Sequence, residues 1–326
     1  MLKRTAMIFT VVSFVLVSLS VGNSFADVIK LKVGHVLAPT HPYQLGLEKF
    51  SQLVDEKTKG NVKIEAFHSS QLGNEREMIE GLQLGTLDMT LVSTAPLAGF
   101  SNKFLVFDLP YIFKTPEAAH ATVDGPVGQE IMKTLEKKGI IGLNYWENGF
   151  RHVSNSSLEI KHPADIKGLK IRTMENKIHM ASFKTVGADP TPMAFGELFT
   201  ALQQKTVDAQ ENPIPVFYTS NFFEVQKYLS LTGHFYAASP LLVSKPVWNK
   251  LSDANKTAIK QAADEARDYE RSLIQKMDNE LVQNLKAKGV TITEVDKNEW
   301  ANAMLPVYKQ FEDAIGADTI AKVKEK

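Results

Sequence analysis

Two nine-residue segments of this chain, 120 positions apart, resemble each other. Residues 81–89 align with residues 201–209 and share with them a leucine, a glutamine, a threonine and an aspartate at matching places. Each copy has the pattern of a helix end, a turn and a strand. A weaker similarity joins residues 31–33 to residues 169–171, each a short strand that opens an α/β unit. The repeat predicts two related α/β lobes; the alternative is a chance similarity of two connectors, because Gly, Thr and Asp are common in turns.

Strand and helix patterns alternate on both sides of the first copy. Residues 28–33 place apolar side chains at every second position, which is typical of a strand with one buried face. Apolar residues then recur at helical spacing from Leu47 to Val54, and Gly60 ends that helix before a strand over residues 62–67. This order predicts a βαβ unit.

Two further helix and strand pairs extend the alternation. Residues 75–84 have a helical pattern and precede a strand over residues 87–91. Thr115, followed by a proline and an acid, has the features of an N-cap, and we expect its helix to end at Gly139 before a strand over residues 140–146. We therefore predict an α/β fold with parallel strands.

The N-terminus has the features of a secretory signal peptide. Lys3 and Arg4 precede an apolar stretch over residues 6–21, and residues 24–26, Ser-Phe-Ala, place small side chains where a signal peptidase cleaves. The alternative is a retained membrane anchor, for which the apolar stretch is short. Residues 1–26 are therefore predicted to be removed, which leaves 35 basic and 37 acidic side chains in an exported, periplasmic protein.

The composition excludes several classes of function. The chain has 37 Lys+Arg, 37 Asp+Glu and no cysteine. Without cysteine there is no disulfide, thiolate metal site, iron–sulfur cluster or cysteine nucleophile. Because the charges are balanced and scattered, nucleic acid is not an expected partner. An exported chain of this length can bury a core large enough to fold without disulfides.

Three polar side chains are predicted at one edge of the sheet. Arg172 directly follows a predicted strand, Arg151 follows another after a connector over residues 147–150, and Asn212 follows a third, just before Pro213. Ligands of α/β proteins bind at the carboxyl ends of strands, and two guanidinium groups can hold a carboxylate. Solvated surface arginines are the alternative interpretation of each arginine alone.

Four motifs resemble those of a known family. They are SSQLGNER at residues 69–76, IKGLKIR at 166–172, PTPMAFGE at 190–197 and VDAQENP at 207–213. In this order they resemble the DctP-type solute-binding proteins of TRAP (tripartite ATP-independent periplasmic) transporters. The resemblance covers essentially the whole chain after residue 26.

The resemblance implies a fold and partners. The fold is a two-lobed, type II-like periplasmic-binding-protein fold with hinge strands and a long helix, here within residues 253–286. Lobe I comprises residues 27–148 plus about 238–277, and lobe II comprises residues 149–237 plus about 278–326. The expected partners are an organic acid and a permease with one small and one large membrane subunit. We expect a monomer with no cofactor and no metal.

The resemblance also implies roles for individual residues. Arg172 matches the carboxylate anchor, Arg151 a second cationic contact, and Asn212 a hydrogen-bond partner. Phe195 matches an apolar wall, and Glu75 an acid that sialic-acid binders of the family carry on the opposite lobe. This chain departs from those binders at Val36 and Ser93, which makes sialic acid a poor candidate. The expected ligand contacts are Arg172, Arg151, Asn212, Phe195, Glu75, Ser93, Val36 and Phe150.

Two aromatic side chains near the expected cleft have a structural interpretation. His35 and Tyr236 could reach the cleft, but we interpret His35 as a histidine satisfied within the fold and Tyr236 as a core tyrosine. An ionised Glu75 facing the cleft would repel a second carboxylate. We therefore expect a cyclic monocarboxylate, either a uronate or other sugar acid or an aromatic 2-oxo acid. The alternative ligand is a C4-dicarboxylate such as succinate, malate or fumarate.

An exported enzyme that acts on an organic acid is the alternative from another class. The chain has no Gly-x-Ser-x-Gly elbow, no phosphate loop ending in Gly-Lys-Ser/Thr and no His-Glu-x-x-His motif. Its eight histidines never pair at the one-turn spacing of a helical metal site. A binding module that reports to a receptor without transport is a further alternative. We expect no enzymatic activity.

Overall fold

A computed structural model describes residues 28–324. The signal peptide predicted for residues 1–26 lies outside these residues. Within them, nine strands form one mixed sheet in the order β2-β1-β3-β8-β4-β7-β5-β6, with β9 paired to β8. The strands are β1 (Ile29–Gly34), β2 (Val62–Phe67), β3 (Met89–Leu91), β4 (Ile140–Asn155), β5 (Lys170–Thr173), β6 (Asp189–Pro192), β7 (Ala209–Pro213), β8 (Tyr228–Ser244) and β9 (Thr291–Thr293).

The sheet consists of two halves with the same strand arrangement. In the first half, β1 lies between β2 and β3, parallel to both, and β3 pairs with β8 in the antiparallel sense. In the second half, β5 lies between β6 and β7, parallel to both, and β7 pairs with β4 in the antiparallel sense. This correspondence confirms the predicted two-lobed α/β fold. The lobe boundaries given above remain predictions.

One hydrogen bond explains why the two repeated segments are alike. Asp88 Oδ2 accepts the backbone N–H of Lys32 at 2.9 Å, and Asp208 Oδ2 accepts the backbone N–H of Lys170 at 2.9 Å. Asp88 directly precedes β3 and bonds to β1, whereas Asp208 directly precedes β7 and bonds to β5. Each aspartate therefore joins two neighbouring parallel strands. The weaker similarity around residues 32 and 170 has the same origin, because Lys32 and Lys170 provide the N–H groups of these two hydrogen bonds.

Two long strands connect the halves. β4 has 16 residues and β8 has 17, and they pair with each other in the antiparallel sense. The connector predicted over residues 147–150 is wrong, because these residues stay within β4. The irregularity is a bulge between Glu147 and Gly149, where Gly149 adopts a φ of 106°, a conformation that suits glycine. The bulge changes the direction of side chains without interrupting the strand.

Thirteen helices over residues 28–324 cover the sheet. The longest, α10, has 35 residues and packs on α1, β4 and α8, so it touches both halves, as the family resemblance implied. None of the described helices is long and apolar enough to cross a membrane. The helices are α1 (Pro42–Lys57), α2 (Glu75–Leu84), α3 (Thr94–Leu97), α4 (Pro116–Val123), α5 (Pro126–Lys133), α6 (Lys177–Thr185), α7 (Phe195–Gln203), α8 (Ile214–Thr219), α9 (Lys245–Lys250), α10 (Asp253–Ala287), α11 (Lys297–Met304), α12 (Pro306–Ile315) and α13 (Ala317–Lys324).

The helix predicted between Thr115 and Gly139 is divided. Its predicted ends are present, since Thr115 Oγ1 accepts the N–H of Ala118 at 3.2 Å and Gly139 has a left-handed conformation. Between them α4 ends at Val123, and α5 begins at Pro126. A proline has no N–H to continue the ladder, so the chain turns there and starts a new helix. The last turn, Thr134–Lys138, is a 3-10 helix.

Candidate functional site

A narrow cavity lies between the two halves of the sheet. Side chains at the carboxyl ends of parallel strands from both halves line it, which is where α/β folds bind ligands. Its lining residues are Val36, Leu37, Tyr43, Glu75, Ser93, Asn148, Arg151, Arg172, Met174, Phe195 and Asn212. A second cavity shares Glu75, Arg172, Met174 and Phe195 with it.

Seven of the eight expected ligand contacts therefore lie together. The strand ends differ slightly from the prediction, because Arg172 and Asn212 belong to the last residues of β5 and β7 rather than following them. Phe150 is not among the lining residues. Its ring packs against Tyr236 with centroids 5.3 Å apart and faces a separate cavity beside Phe113. The bulge before Phe150 leaves Arg151 on the side of the cavity and Phe150 on the other face of the strand.

Arg172 has one edge of its guanidinium group unpaired. Its Nε and Nη2 donate to the carbonyl oxygen of Met193 at 3.0 and 2.7 Å. Nη1 is buried and has no hydrogen-bond partner among residues 28–324. Burial lowers the pKa of Arg172 to about 10, although the charge of Glu211 opposes that shift, so the group stays cationic at neutral pH. A buried cationic donor without a partner favours an anionic acceptor.

Arg151 is also buried, but its charge is already balanced. Its Nε and Nη2 donate to the two carboxylate oxygens of Glu211 at 2.5 and 2.7 Å, and Nη2 also reaches Asn212 Oδ1 at 3.1 Å. Burial alone would raise the pKa of Glu211; the charge of Arg151 and the hydrogen bonds from His234 and Arg151 outweigh it and hold that pKa well below its usual range. Arg151 and Glu211 therefore add no net charge to the cavity.

His234 supports the same carboxylate from the hinge strand β8. Its Nε2 lies 3.2 Å from Glu211 Oε2, and its Nδ1 lies 2.7 Å from the hydroxyl of Thr232. Burial lowers the pKa of His234, and the charge of Glu211 opposes the shift. A neutral His234 that donates from Nε2 to Glu211 satisfies both contacts.

Glu75 enters the cavity from the first turn of α2. It is buried, and its Oε1 accepts the backbone N–H of Ser93 at 2.7 Å. Burial raises the pKa of Glu75, while the hydrogen bond from Ser93 and the charges of Arg172 and Arg151 oppose that shift. Its carboxyl group comes from the first half of the molecule and lines the same cavity as Arg172 of the second half.

Four lining residues were missed at the sequence level, namely Leu37, Tyr43, Asn148 and Met174. Asn148 is 3% exposed, and its Oδ1 has no hydrogen-bond partner in the described part of the chain. Tyr43 donates or accepts a short hydrogen bond with Ser239. Only the bulge in β4 turns Asn148 towards the cavity, and the glycine that follows it is the one local signal of that bulge.

His35 and Tyr236 have the structural roles that we expected. His35 Nε2 pairs with Gln44 Oε1 at 3.0 Å, and its Nδ1 accepts the N–H of Leu37 at 3.3 Å. Burial lowers the pKa of His35 to about 4, against the effect of the Gln44 hydrogen bond. Tyr236 is buried among aromatic rings and does not line the cavity.

The arrangement is suited to binding an anion. It presents one cationic donor edge, an acid, an amide and apolar surface from Val36, Phe195 and Met174. Across residues 28–324, no group of three or more His, Asp or Glu side chains is placed to hold a metal ion. The polar groups can pair with a carboxylate and with hydroxyl groups.

The sequence matches one family model over residues 33–314, that of DctP, bacterial extracellular solute-binding protein, family 7. It is 40% identical to the 2,3-diketo-L-gulonate-binding periplasmic protein YiaO of Escherichia coli (strain K12) over 84% of each chain. It is 36% identical to the C4-dicarboxylate-binding periplasmic protein DctP of Rhodobacter capsulatus over 92% of each chain.

Solved structures match the fold over nearly the whole chain. A TRAP periplasmic solute-binding protein from Polaromonas sp. JS666, bound to D-erythronate, has a TM-score of 0.89 and 44% identity and covers 91% of this chain and 98% of its own. The sugar acid binding protein DctPAm from Advenella mimigardefordensis strain DPN7T, in complex with galactonate, has a TM-score of 0.89 and 37% identity. It covers 92% of this chain and 98% of its own.

Proposed function

The chain belongs to the DctP family of TRAP transporter solute-binding proteins, and from that premise we propose that its ligand is a hydroxylated sugar monocarboxylate. Members of this family are the substrate-binding components of transporters for organic acids. The protein captures the acid between its two lobes and delivers it to the membrane subunits of a TRAP permease. Arg172 anchors the carboxylate, with Arg151, Asn212, Glu75, Ser93, Val36, Phe195 and Asn148 around it.

The charge balance of the cavity is the observation that carries this proposal. The charges of Arg151 and Glu211 neutralise each other, which leaves Arg172 as the cation available to a ligand. Its Nη1 and the second N–H of Nη2 form an end-on fork that fits one carboxylate. A second carboxylate on the ligand would be buried without a cation of its own and beside Glu75, which disfavours a dicarboxylate.

The remaining polar groups favour hydroxyl groups on the ligand. Asn148 Oδ1 has no hydrogen-bond partner among residues 28–324, and Glu75 offers a carboxyl oxygen in the same cavity lining. Both can accept hydrogen bonds from alcohols. The relatives named for diketogulonate, erythronate and galactonate bind hydroxylated monocarboxylates. Because erythronate and galactonate are open-chain acids, we extend the expected ligands beyond ring-containing acids.

Thermal-shift screening followed by calorimetry tests the ligand class. The panel is D-galactonate, D-erythronate, D-glucuronate, indole-3-pyruvate and succinate, each tested at several concentrations. A ligand present at 100 times its dissociation constant stabilises the folded protein by about 2.7 kcal/mol. We expect a sugar acid to give the largest shift. If succinate gives the largest shift, the protein is a C4-dicarboxylate binder and the charge argument is wrong.

The export and the partners are part of the same proposal. We propose that the chain is cleaved after Ala26, works as a monomer in the periplasm and neither binds nucleic acid nor transforms its ligand. N-terminal sequencing of protein released by osmotic shock should begin at Asp27. Intact residues 1–26 in a membrane fraction would contradict the cleavage. Ligand recovered from the purified protein should be chemically unchanged by mass spectrometry, and turnover would contradict the binding role.

A further inference from the structure

A buried carboxylate outside the cavity joins the two halves of the molecule. Asp108 ends a 3-10 helix, Asn102–Asp108, which follows β3 in the first half. Its Oδ2 accepts a hydrogen bond from Asn176 Nδ2 at 2.8 Å, and its Oδ1 lies 3.2 Å from His179 Nε2. Asn176 and His179 belong to the start of α6, which follows β5 in the second half. All three side chains are at most 3% exposed.

Asn176 connects the halves a second time. Its Nδ2 also donates to the carbonyl oxygen of Ala95 at 3.0 Å, and Ala95 lies in α3 directly after β3. Its Oδ1 accepts the N–H groups of Ile178 and His179 at 2.8 and 3.2 Å and so caps α6. One side chain therefore orders the first turn of a helix in one half and binds the backbone of the other half.

His179 is held in place for this contact. Its ring stacks on Phe235 of the hinge strand β8, with centroids 4.2 Å apart and planes 6° apart. Because Nε2 faces a carboxylate oxygen, that nitrogen donates to Asp108. The contact therefore involves Asp108 of the first lobe, His179 of the second lobe and Phe235 of the strand that connects the two lobes.

The contact adjoins the ligand cavity without lining it. Pro96, next to Ala95, and Met174 and Glu175, just before Asn176, line the second cavity together with Arg172. Asp108, Asn176 and His179 line neither of the two cavities. If the halves separate to admit a ligand, Asp108 loses partners that lie on the opposite half.

We propose that Asp108 is a latch between the lobes, whose hydrogen bonds to Asn176 and His179 form on closure and slow the release of the ligand. This inference rests on the proposed function, since it concerns the rate at which the ligand of that proposal is released. Asp108 is a positioning residue and makes no contact with the ligand. Its effect falls on the dissociation rate, because these bonds must break when the lobes separate and the ligand leaves.

The test compares rates in Asp108→Asn, His179→Leu and His179→Gln. Asparagine keeps the shape of Asp108 and removes its charge, leucine removes the donor of His179, and glutamine restores an N–H donor. With D-galactonate as the probe in stopped-flow fluorescence, we expect Asp108→Asn and His179→Leu to release it about ten times faster, equivalent to about 1.4 kcal/mol. Association rates should change less than about twofold, and His179→Gln should release galactonate nearly as slowly as the wild type.

A substitution inside one lobe serves as the matched control. The hydroxyl of Thr58 is buried and bonds Val54 O and Val62 N, all within the first half. Thr58→Val should lower the free energy of unfolding without changing the release rate. Unchanged release rates in Asp108→Asn and His179→Leu, with a loss of stability alone, would overturn the latch. Absence of binding of D-galactonate, D-erythronate and D-glucuronate by the wild-type protein would instead contradict the proposed function.

Discussion

Arg151 and Glu211 form a fully buried ion pair, with Nε–Oε2 and Nη2–Oε1 separated by 2.5 and 2.7 Å. The pair sits on adjacent antiparallel strands, β4 and β7, beside the cavity. We propose that this pairing makes the site selective, because the site contains two guanidinium groups and only that of Arg172 lacks a carboxylate partner among residues 28–324. In this proposal Glu211, which does not line the cavity, limits the number of ligand carboxylates that the cavity can neutralise.

Glu211→Gln should shift the ligand preference towards dicarboxylates. The change removes the counter-charge of Arg151 and leaves a second cation in the cavity. We expect the ratio of succinate to galactonate affinity to rise about tenfold in calorimetry. Breaking a buried ion pair also costs about 3–5 kcal/mol of stability, so the measurement must be made well below the variant's melting temperature. An unchanged ratio in folded protein would show that Arg151 does not act on the ligand.

Arg172→Ala should abolish most of the binding. The loss leaves the ligand's carboxylate buried without a cation, which costs about 2–5 kcal/mol. Arg172→Lys should also weaken binding, because an ammonium group cannot form the planar fork. Calorimetry with D-galactonate measures both variants, and Arg267→Ala, which removes an α10 guanidinium group outside both cavity linings, is the control. Wild-type affinity in Arg172→Ala would place the anchor elsewhere, with Arg151 as the next candidate.

The fold was predictable from sequence where the information is local. The turn aspartates Asp88 and Asp208 each bond a neighbouring strand, so the repeat in the sequence reflects a repeat in the sheet. Similarly, Asn74 and Gly85 mark the ends of α2 by capping, which depends on a few adjacent residues.

The details of the site depend on pairing between distant strands. Asn148 reaches the cavity and Phe150 does not, because the bulge arises from the register of β4 on β8, which the sequence of β4 alone does not specify. The partner of Arg151 was likewise not predictable. Burial of an acid in a strand pattern indicates that Glu211 is paired but does not identify the cation.

Glu75→Gln should reduce discrimination against a second carboxylate. The amide keeps the size of the side chain and can still accept the N–H of Ser93, but it carries no charge. We expect the preference for a sugar monocarboxylate over succinate to narrow by about threefold to tenfold in a thermal-shift or calorimetric panel. Glu77→Gln, in the same helix turn and outside both cavity linings, is the control. If the preference stays the same, Glu75 is protonated or does not act on the second end of the ligand.

Asn148→Leu should weaken the binding of hydroxylated acids more than the binding of acids without hydroxyl groups. Leucine is similar in size and removes the unpaired acceptor that we assign to a ligand hydroxyl. Removing one buried hydrogen bond costs about 0.5–1.5 kcal/mol, so galactonate should bind about threefold to tenfold more weakly. A carboxylate without hydroxyl groups, such as butyrate, should lose no affinity. An equal loss for both acids would indicate that the substitution deforms the bulge instead.

Asp278→Asn should stabilise the protein in a pH-dependent manner. Asp278 lies on α10 in a cavity that it shares with His120, Glu147, Asp268 and Arg271. Burial, followed by the charge of Glu147, raises the pKa of Asp278 to about 7, whereas an unfolded aspartate titrates near 3.9. The folded state therefore binds an extra proton between about pH 4 and pH 7. The contribution of Asp278 to the wild-type stability therefore falls as the pH rises through that window and is level above it.

Asparagine does not titrate, so its advantage should be small at pH 4, grow up to about pH 7 and stay constant at pH 8. After allowance for partial solvent screening, we expect a gain of about 1–2 kcal/mol at pH 8. Urea unfolding at four pH values measures it, and the exposed Asp313→Asn on α12 should show no such trend. A gain that is equal at pH 4 and pH 8 would show that the carboxyl group of Asp278 ionises in the folded protein as it does in the unfolded chain.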